Sequence, residues 1–143
     1  MIVSSWHVFR KIGLAGGHNT MKSLLAFFIF PLFTLIISLS IDDVVSAIRN
    51  GDATEVAKYI HNTVEITLPD KSNSYSKSQA EVVLRDFFNT NVVKSFDVLR
   101  KGDNAGSQYI LGTLQTKNGV YHTTFFLKQR GDKQTLQELR FEK

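Results

Sequence analysis

Residues 108–129 read QYILGTLQTKNGVYHTTFFLKQ, and this stretch decides the fold. It holds two runs rich in β-branched and aromatic residues, residues 108–116 and 120–127, joined by Asn118-Gly119. Asn-Gly between two such runs is a strong hairpin signal, because a two-residue type I′ turn needs positive φ at both of its positions. The sequence therefore predicts a β-hairpin whose turn residues are Asn118 and Gly119.

A two-residue turn at this point also sets the register of the two strands. Lys117 then pairs with Val120, and one face carries the pairs Thr116–Tyr121, Leu114–Thr123, Gly112–Phe125 and Ile110–Leu127. The other face carries Gln115–His122, Thr113–Thr124, Leu111–Phe126 and Tyr109–Lys128. A slip of one residue would exchange the faces. We expect the first face to be core, with Phe125 over the bare backbone of Gly112, and the mixed face to need a partner.

The basic charge of the chain belongs to its first residues. The 143 residues carry a formal net charge of +4, but residues 1–40 hold three basic residues and no acid. The remaining residues are nearly balanced, so they offer no electrostatic footprint for nucleic acid, and no nucleic-acid partner is predicted. The absence of cysteine from the sequence excludes disulfides, thiolate metal sites and cysteine nucleophiles.

Residues 24–39 form an uncharged apolar run, LLAFFIFPLFTLIISL, that follows Lys22. With the small residues Ser38 and Ser40 at its exit, it predicts a signal peptide over residues 21–40 and export to the periplasm or medium after cleavage near Ser40. The alternative is that residues 24–39 stay attached as a membrane anchor, although the run is short for a spanning helix. Residues 1–20 are interpreted as an over-called extension, with translation starting at Met21.

The rest of the chain, residues 41–143, predicts one α+β domain. The expected elements are helices over residues 41–49, 52–60 and 77–89, a strand over residues 64–68 and strands over residues 95–100, 108–116, 120–127 and 136–142. Residues 69–74 are expected to form a polar loop. The order ααβαββββ predicts three N-terminal helices packed on a curved antiparallel sheet.

Several short motifs resemble a family of small exported bacterial proteins classed as a domain of unknown function. They are Gly51-Asp52-Ala53, residues 64–70 (VEITLPD), residues 75–81 (YSKSQAE), Asp86-Phe87-Phe88 and the hairpin from Gly112 to Gly119. Over residues 41–143 the order of elements also resembles the nuclear transport factor two-like fold, the cystatin-like α+β cone. That fold hosts isomerases, dehydratases, transport factors and binding modules, so the resemblance implies no activity.

The resemblance implies a pocket at the open end of the cone, lined by the third helix and one sheet face. The candidate ligand-binding residues are Tyr59, Tyr75, Leu84, Phe88, Tyr109, Leu111, His122, Phe126 and Arg140. The tyrosines and His122 suit ligand contact because each combines an apolar body with a polar tip. The aliphatic residues and phenylalanines also suit a core or a dimer interface.

The sequence gives little support for catalysis. His61 and His122 are isolated and have no spaced acid or cysteine, so neither a metal site nor a cofactor is predicted. Asp97 alternates with apolar neighbours, as Glu65 and Glu138 do, which favours the solvent face for all three. No carboxylate has a position that demands burial, as an isomerase base would need.

The predicted function is therefore that of a non-catalytic exported module. It would bind a small apolar or amphipathic ligand, or form a homodimer through its open sheet face. The alternatives are a small isomerase- or dehydratase-like enzyme that uses the cone pocket, and a membrane-anchored interaction domain.

Overall fold

The computed structural model describes residues 40–143. The predicted extension over residues 1–20 and the predicted signal peptide, except Ser40, lie outside the described residues. No helix within residues 40–143 is long and apolar enough to cross a bilayer. The elements are α1 (Ile41–Arg49), α2 (Ala53–Ala57), β1 (Thr63–Leu68), β2 (Lys71–Ser76), α3 (Lys77–Thr90), β3 (Val93–Asn104), β4 (Ser107–Thr116), β5 (Gly119–Arg130) and β6 (Lys133–Glu142).

The α+β class is confirmed, but the predicted order ααβαββββ is wrong. Within residues 40–143 the order is ααββαββββ, with α1 and α2 before the first strand and α3 after the second. The expected polar loop over residues 69–74 is largely strand β2, which pairs along its whole length with β1. Its sequence, KSNSYS, lacks apolar alternation because four of its six residues are exposed. Hydrophobic periodicity cannot detect a strand whose side chains are mostly exposed to solvent on both faces.

The predicted wholly antiparallel sheet is also wrong, because the six-stranded sheet is mixed. Its order is β2-β1-β6-β5-β4-β3, and β1 runs parallel to β6 while every other neighbouring pair is antiparallel. The sheet is curved, and its register shifts twice along β3 and once along β5.

The hairpin joins paired neighbours, but its turn lies one residue earlier than predicted. Thr116 pairs with Gly119, so Lys117 and Asn118 form the turn, and of Asn118 and Gly119 only the glycine has positive φ. The reason is tertiary. The Asn118 side chain donates to the carbonyl of Thr90 at 2.6 Å, and the Lys117 N–H donates to the carbonyl of Val92 at 2.9 Å. The pairing is displaced by two residues, so both faces keep their predicted members.

The more apolar face of the hairpin is core, as predicted. Its residues Ile110, Leu114, Phe125 and Leu127 are almost completely buried. Helix α3 supplies facing side chains that are equally buried, Ala80, Leu84, Phe87 and Phe88. Ser76 begins this helix with a capping box, in which its backbone N–H donates to Gln79 at 3.1 Å.

The aromatic ring over Gly112 is that of Phe96 and not, as predicted, that of Phe125. A Cβ atom at Gly112 would lie 2.5 Å from Cζ of Phe96, which is closer than any real contact allows. Gly112 pairs with Val98 on one side and Thr123 on the other. Phe125 lies two residues further along β5, where it pairs with Ile110. The shifted turn explains this difference.

Candidate functional site

The predicted pocket residues do not line one cavity. Tyr59, Leu84 and Phe88 are buried in the core. Tyr75 is half-buried on strand β2. The remaining five lie on the sheet face turned away from α3, which we call the outer face: Tyr109, Leu111, His122, Phe126 and Arg140. The helix and the sheet do not share a pocket among these residues, because the side chains of α3 that face the sheet are packed into the core.

Three apolar side chains on the outer face form a continuous patch, which we call the outer patch. Tyr109 and Phe126 face each other across β4 and β5, with ring centroids 6.1 Å apart. Leu111 lies on the same face, two residues from Tyr109, and Leu111 and Phe126 are 37% and 38% exposed. The sequence predicted a mixed polar and apolar face that needs a partner. In the structure, the large apolar side chains of Leu111 and Phe126 on this face are partly exposed to solvent.

The ring of Tyr109 extends the outer patch over the neighbouring strand. Tyr109 pairs with Gly102 of β3, and a Cβ atom at Gly102 would lie 2.0 Å from Cε1 of the tyrosine. The glycine therefore lets the ring lie flat against the backbone of β3. An aromatic ring that covers a glycine across strands shields the backbone there and adds apolar surface to the sheet.

The two flanks of the outer patch carry different charges. On the β3 side, Arg100 pairs with Leu111, while Asp97 lies further along beside Thr113. On the β6 side, Glu138 pairs with both Phe126 and Glu65 of β1.

Arg140 forms an ion pair with Glu138, and their hydrogen bond raises the pKa of the arginine. Because two carboxylates meet one guanidinium there, the β6 side keeps an excess of negative charge beside Phe126.

The two histidines and the acids of residues 40–143 lie at or near the surface of the domain. His61 and His122 are exposed, and His122 pairs with Glu142 at the border of the outer face. Within residues 40–143, no three acidic or histidine side chains are arranged to hold a metal ion. Every aspartate and glutamate in this range is exposed or half-exposed, including Asp97, Glu65 and Glu138.

Tyr59 lies beside a polar depression of about 280 Å³ between α1 and α2, which also contains Asp43, Asp52 and Glu55. Burial raises the pKa of the Tyr59 hydroxyl to about 12, and the negative charges of Asp43 and Glu55 add to the increase. Asp43 and Asp52 already accept backbone N–H groups at the starts of α1 and α2. The tyrosine is a protonated hydrogen-bond donor, and the depression provides no buried carboxylate to act as a base.

A second depression, of about 430 Å³, lies where α3 meets strand β2. It is lined by Tyr75, Ser78, Gln79, Val82 and Val83. Val82 is 51% exposed, outside the buried stripe of α3. Sequence reasoning selected Tyr75 but missed the valines, because Val82 is an ordinary exposed helix position until β2 is recognised as a strand next to it.

Comparison with known proteins gives a family and a fold. A model of the domain of unknown function DUF4783 matches residues 41–142. No curated protein matches the chain. A DUF4783 crystal structure from Bacteroides uniformis is 28% identical, covers 73% of this chain and 97% of its own, and has a TM-score of 0.70. One from Bacteroides fragilis is 30% identical, covers 73% of this chain and 98% of its own, and has a TM-score of 0.68.

A designed protein of the nuclear transport factor two-like fold also resembles the domain. It is 14% identical, covers 71% of this chain and 91% of its own, and has a TM-score of 0.57, which shows the fold alone. The Bacteroides chains consist almost entirely of the matched part, so the domain occurs as an independent folding unit. The chain described here therefore belongs to the DUF4783 family and has a nuclear transport factor two-like fold.

Proposed function

We propose that this domain is a non-catalytic module that is exported and forms a homodimer through the outer patch. The observation that carries the proposal is the exposure of Tyr109, Leu111 and Phe126 side by side on a sheet whose other face packs against α3. Complete burial of a large apolar side chain contributes about 1.5–3 kcal/mol, and roughly a third of that remains to be gained at each partly exposed side chain, so covering this patch in both copies would favour association.

The geometry of the outer patch suits a second copy as the partner. A two-fold axis that runs along the strands between β4 and β5 would place Tyr109 of one copy over Phe126 of the other, because these two residues pair across the strands. A two-fold interface is self-complementary, so this aromatic contact would occur twice. Two twisted sheets pack well face to face in this aligned manner.

The oligomeric state of the purified domain from Ile41 onward tests the proposal. Sedimentation equilibrium between low and high micromolar concentration should show a dimer that becomes a monomer in Phe126→Lys, because a lysine ammonium would be buried at the centre of the interface. Val92→Lys is the matched control, since Val92 is exposed and lies outside the outer face. A wild-type domain that stays monomeric at several hundred micromolar would contradict the proposal.

The predicted enzyme alternative has less support. An isomerase of the kind expected from the fold needs a carboxylate whose pKa is raised by burial. The carboxylates near Tyr59 are exposed and cap helices, so they are poor candidates for that base. Export stays part of the proposal, and the mass of the mature protein tests it: a soluble form should begin at Ile41, whereas an anchored form would keep residues 24–39.

A further inference from the structure

We propose that the free edge of β2 and the depression beside it form a docking site for an extended peptide, which would join the sheet as a seventh strand. The peptide would carry alternating apolar residues and an acidic end. This site is separate from the outer patch, so it goes beyond the proposed dimer and does not depend on it.

Strand β2 has unpaired backbone groups on its open side. It is the last strand in the sheet order, and it pairs with β1 without a register shift. The N–H of Lys77 donates to the carbonyl of Asn62 at 3.0 Å, so Tyr75 and Asn73, which share its parity, also face β1. Ser72 and Ser74 therefore direct their N–H and C=O groups outward, where no other strand of residues 40–143 lies.

The opposite edge of the sheet is protected in several ways. The guanidinium of Arg49 donates twice to the carbonyl of Phe96 on β3, at 3.2 and 3.3 Å. Lys101 on β3 forms an ion pair with Asp42 of α1. The register shifts along β3 interrupt its hydrogen-bonding pattern as well. Proteins commonly block edge strands with charges, bulges and covering elements.

Among residues 40–143, strand β2 has none of these protections apart from the charge of Lys71 at its start. A regular, polar and unblocked edge is the type of strand to which an extended peptide adds by main-chain hydrogen bonds. The difference between the two edges therefore selects β2 as the docking edge.

The depression beside β2 provides the side-chain part of the site. The ring of Tyr75 and the methyl groups of Val82 and Val83 line it, and Ser78 and Gln79 stand at its border. In a strand, every second side chain points to the same face. A peptide that pairs with β2 would therefore direct alternate residues toward α3, where aliphatic side chains would meet Tyr75 and the valines.

The charges near β2 indicate an acidic end on the peptide. Lys77 and Lys71 are exposed at the two ends of β2. Asp70 stands next to Lys71 and offsets its charge, so the more positive end of the edge is at Lys77. An acidic residue of the peptide is therefore expected near the N-terminus of α3, where the helix dipole also favours negative charge.

Fluorescence anisotropy with a labelled synthetic peptide, Asp-Asp-Val-Thr-Val-Thr-Val, tests this site. The purified domain should bind the peptide, and Val82→Lys should weaken binding by about tenfold or more, because a lysine would replace an apolar contact. The same peptide with N-methyl groups on alternate amides should lose binding, since it cannot pair with the edge. Phe126→Lys should bind as the wild type does, which separates this site from the dimer interface.

Amide NMR shifts locate the peptide independently of affinity. The largest shifts should fall on Ser72, Ser74 and Val82. Ser74→Pro removes the outward N–H and should abolish the shifts, and circular dichroism must show that this variant is folded. No binding, equal binding of the N-methylated peptide, or shifts elsewhere would overturn the proposal. A change in the oligomeric state of Ser74→Pro without peptide would also overturn it, because the edge would then pair with a second copy.

Discussion

The two faces of the β4–β5 hairpin are built from alternating residues of the same strands, yet one face is buried and the other is partly exposed. Phe125 is completely buried, whereas its neighbour Phe126 is 38% exposed. Thr123 and Thr124 differ in the same way. On the inner face, side chains hold the sheet to α3, and on the outer face, side chains of similar type remain available for association. Composition alone does not predict which of these side chains are buried, since position on the strand decides it.

The two phenylalanines provide the largest test of this difference. Phe125→Ala should lower the free energy of unfolding by about 3–5 kcal/mol, because it leaves a cavity in the core. Phe126→Ala should cost less, about 1–2 kcal/mol in the monomer, since its ring is already 38% exposed. Urea unfolding at low protein concentration measures both. Equal losses would mean that the outer face is as important for folding as the inner face.

The two glycines that lie under aromatic rings give the next effect. Gly112→Ala should cost about 1–3 kcal/mol, because the new methyl group meets Phe96 and the carbonyl of Asp97 at 2.8 Å, both packed in the fold. Gly102→Ala should cost less, since the half-exposed ring of Tyr109 can turn away. Thermal unfolding compares the variants, and a greater loss for Gly102→Ala would reverse the expected order.

A buried hydrogen bond distinguishes Tyr121 from Tyr109. The hydroxyl of Tyr121 donates to Oδ1 of the buried Asn91 at 2.9 Å, and the amide of Asn91 donates to the carbonyl of Phe87. Tyr121→Phe should cost about 1–3 kcal/mol, because it leaves Oδ1 without its donor. Tyr109→Phe should change the free energy of unfolding by less than about 0.5 kcal/mol, as expected for a surface change. Chemical denaturation of both variants tests this pair.

The two threonines should show a small effect of the opposite sign. Thr123 is 1% exposed and its hydroxyl has no hydrogen-bond partner within residues 40–143. Valine has nearly the same shape as threonine but lacks the hydroxyl. Thr123→Val should therefore stabilise the domain by about 1 kcal/mol, because it removes an unpaired buried polar group. Thr124→Val on the outer face should change the stability little. A destabilised Thr123→Val would indicate that the hydroxyl has a partner in solution.

A pH dependence also originates on the buried side. The pKa of Tyr59 is raised to about 12 in the folded domain, against about 10 in the unfolded chain. The folded state then binds the proton more tightly, so this contribution is complete below pH 10 and is lost as the pH rises from 10 to 12. Tyr59→Phe should flatten the dependence of the free energy of unfolding on pH in this range, while Tyr109→Phe should not. Urea unfolding followed by circular dichroism at several pH values measures it.

Local pattern was sufficient for much of the fold. Alternation assigned both faces of the hairpin correctly. The cap Asp52 was predicted, and Ser76 was one of two serines, with Ser78, that could cap α3, because such hydrogen bonds are local. The turn position was not predictable, since it depends on a contact between Asn118 and Thr90 that are far apart in sequence. Strand β2 was missed because an exposed edge strand needs no apolar residues.

The candidate sites were less predictable than the fold. The sequence identified Tyr109, Leu111 and Phe126 as one face, and their exposure is what the structure adds. The expected pocket required the space between α3 and the sheet to stay open. Leu84 and Phe88 instead fill that side, and nothing in a helical stripe distinguishes a core contact from a pocket wall. The difference between the two sheet edges depends on the strand order. That order follows from the pairing of β1 with β6, which are far apart in the sequence.

The parallel pairing of β1 with β6 has a consequence for how this domain is made. The β1–β2 hairpin joins the rest of the sheet only through β6, which is the last of the six strands in the order of synthesis. Until Leu139 and its neighbours are synthesised, β1 cannot pair with β6. The side of the β1–β2 hairpin that faces β6 in the folded domain therefore stays unpaired. Contacts between residues so distant in sequence slow folding. A nascent chain of this protein is thus expected to remain vulnerable to proteases and to chaperone capture until its final strand has emerged.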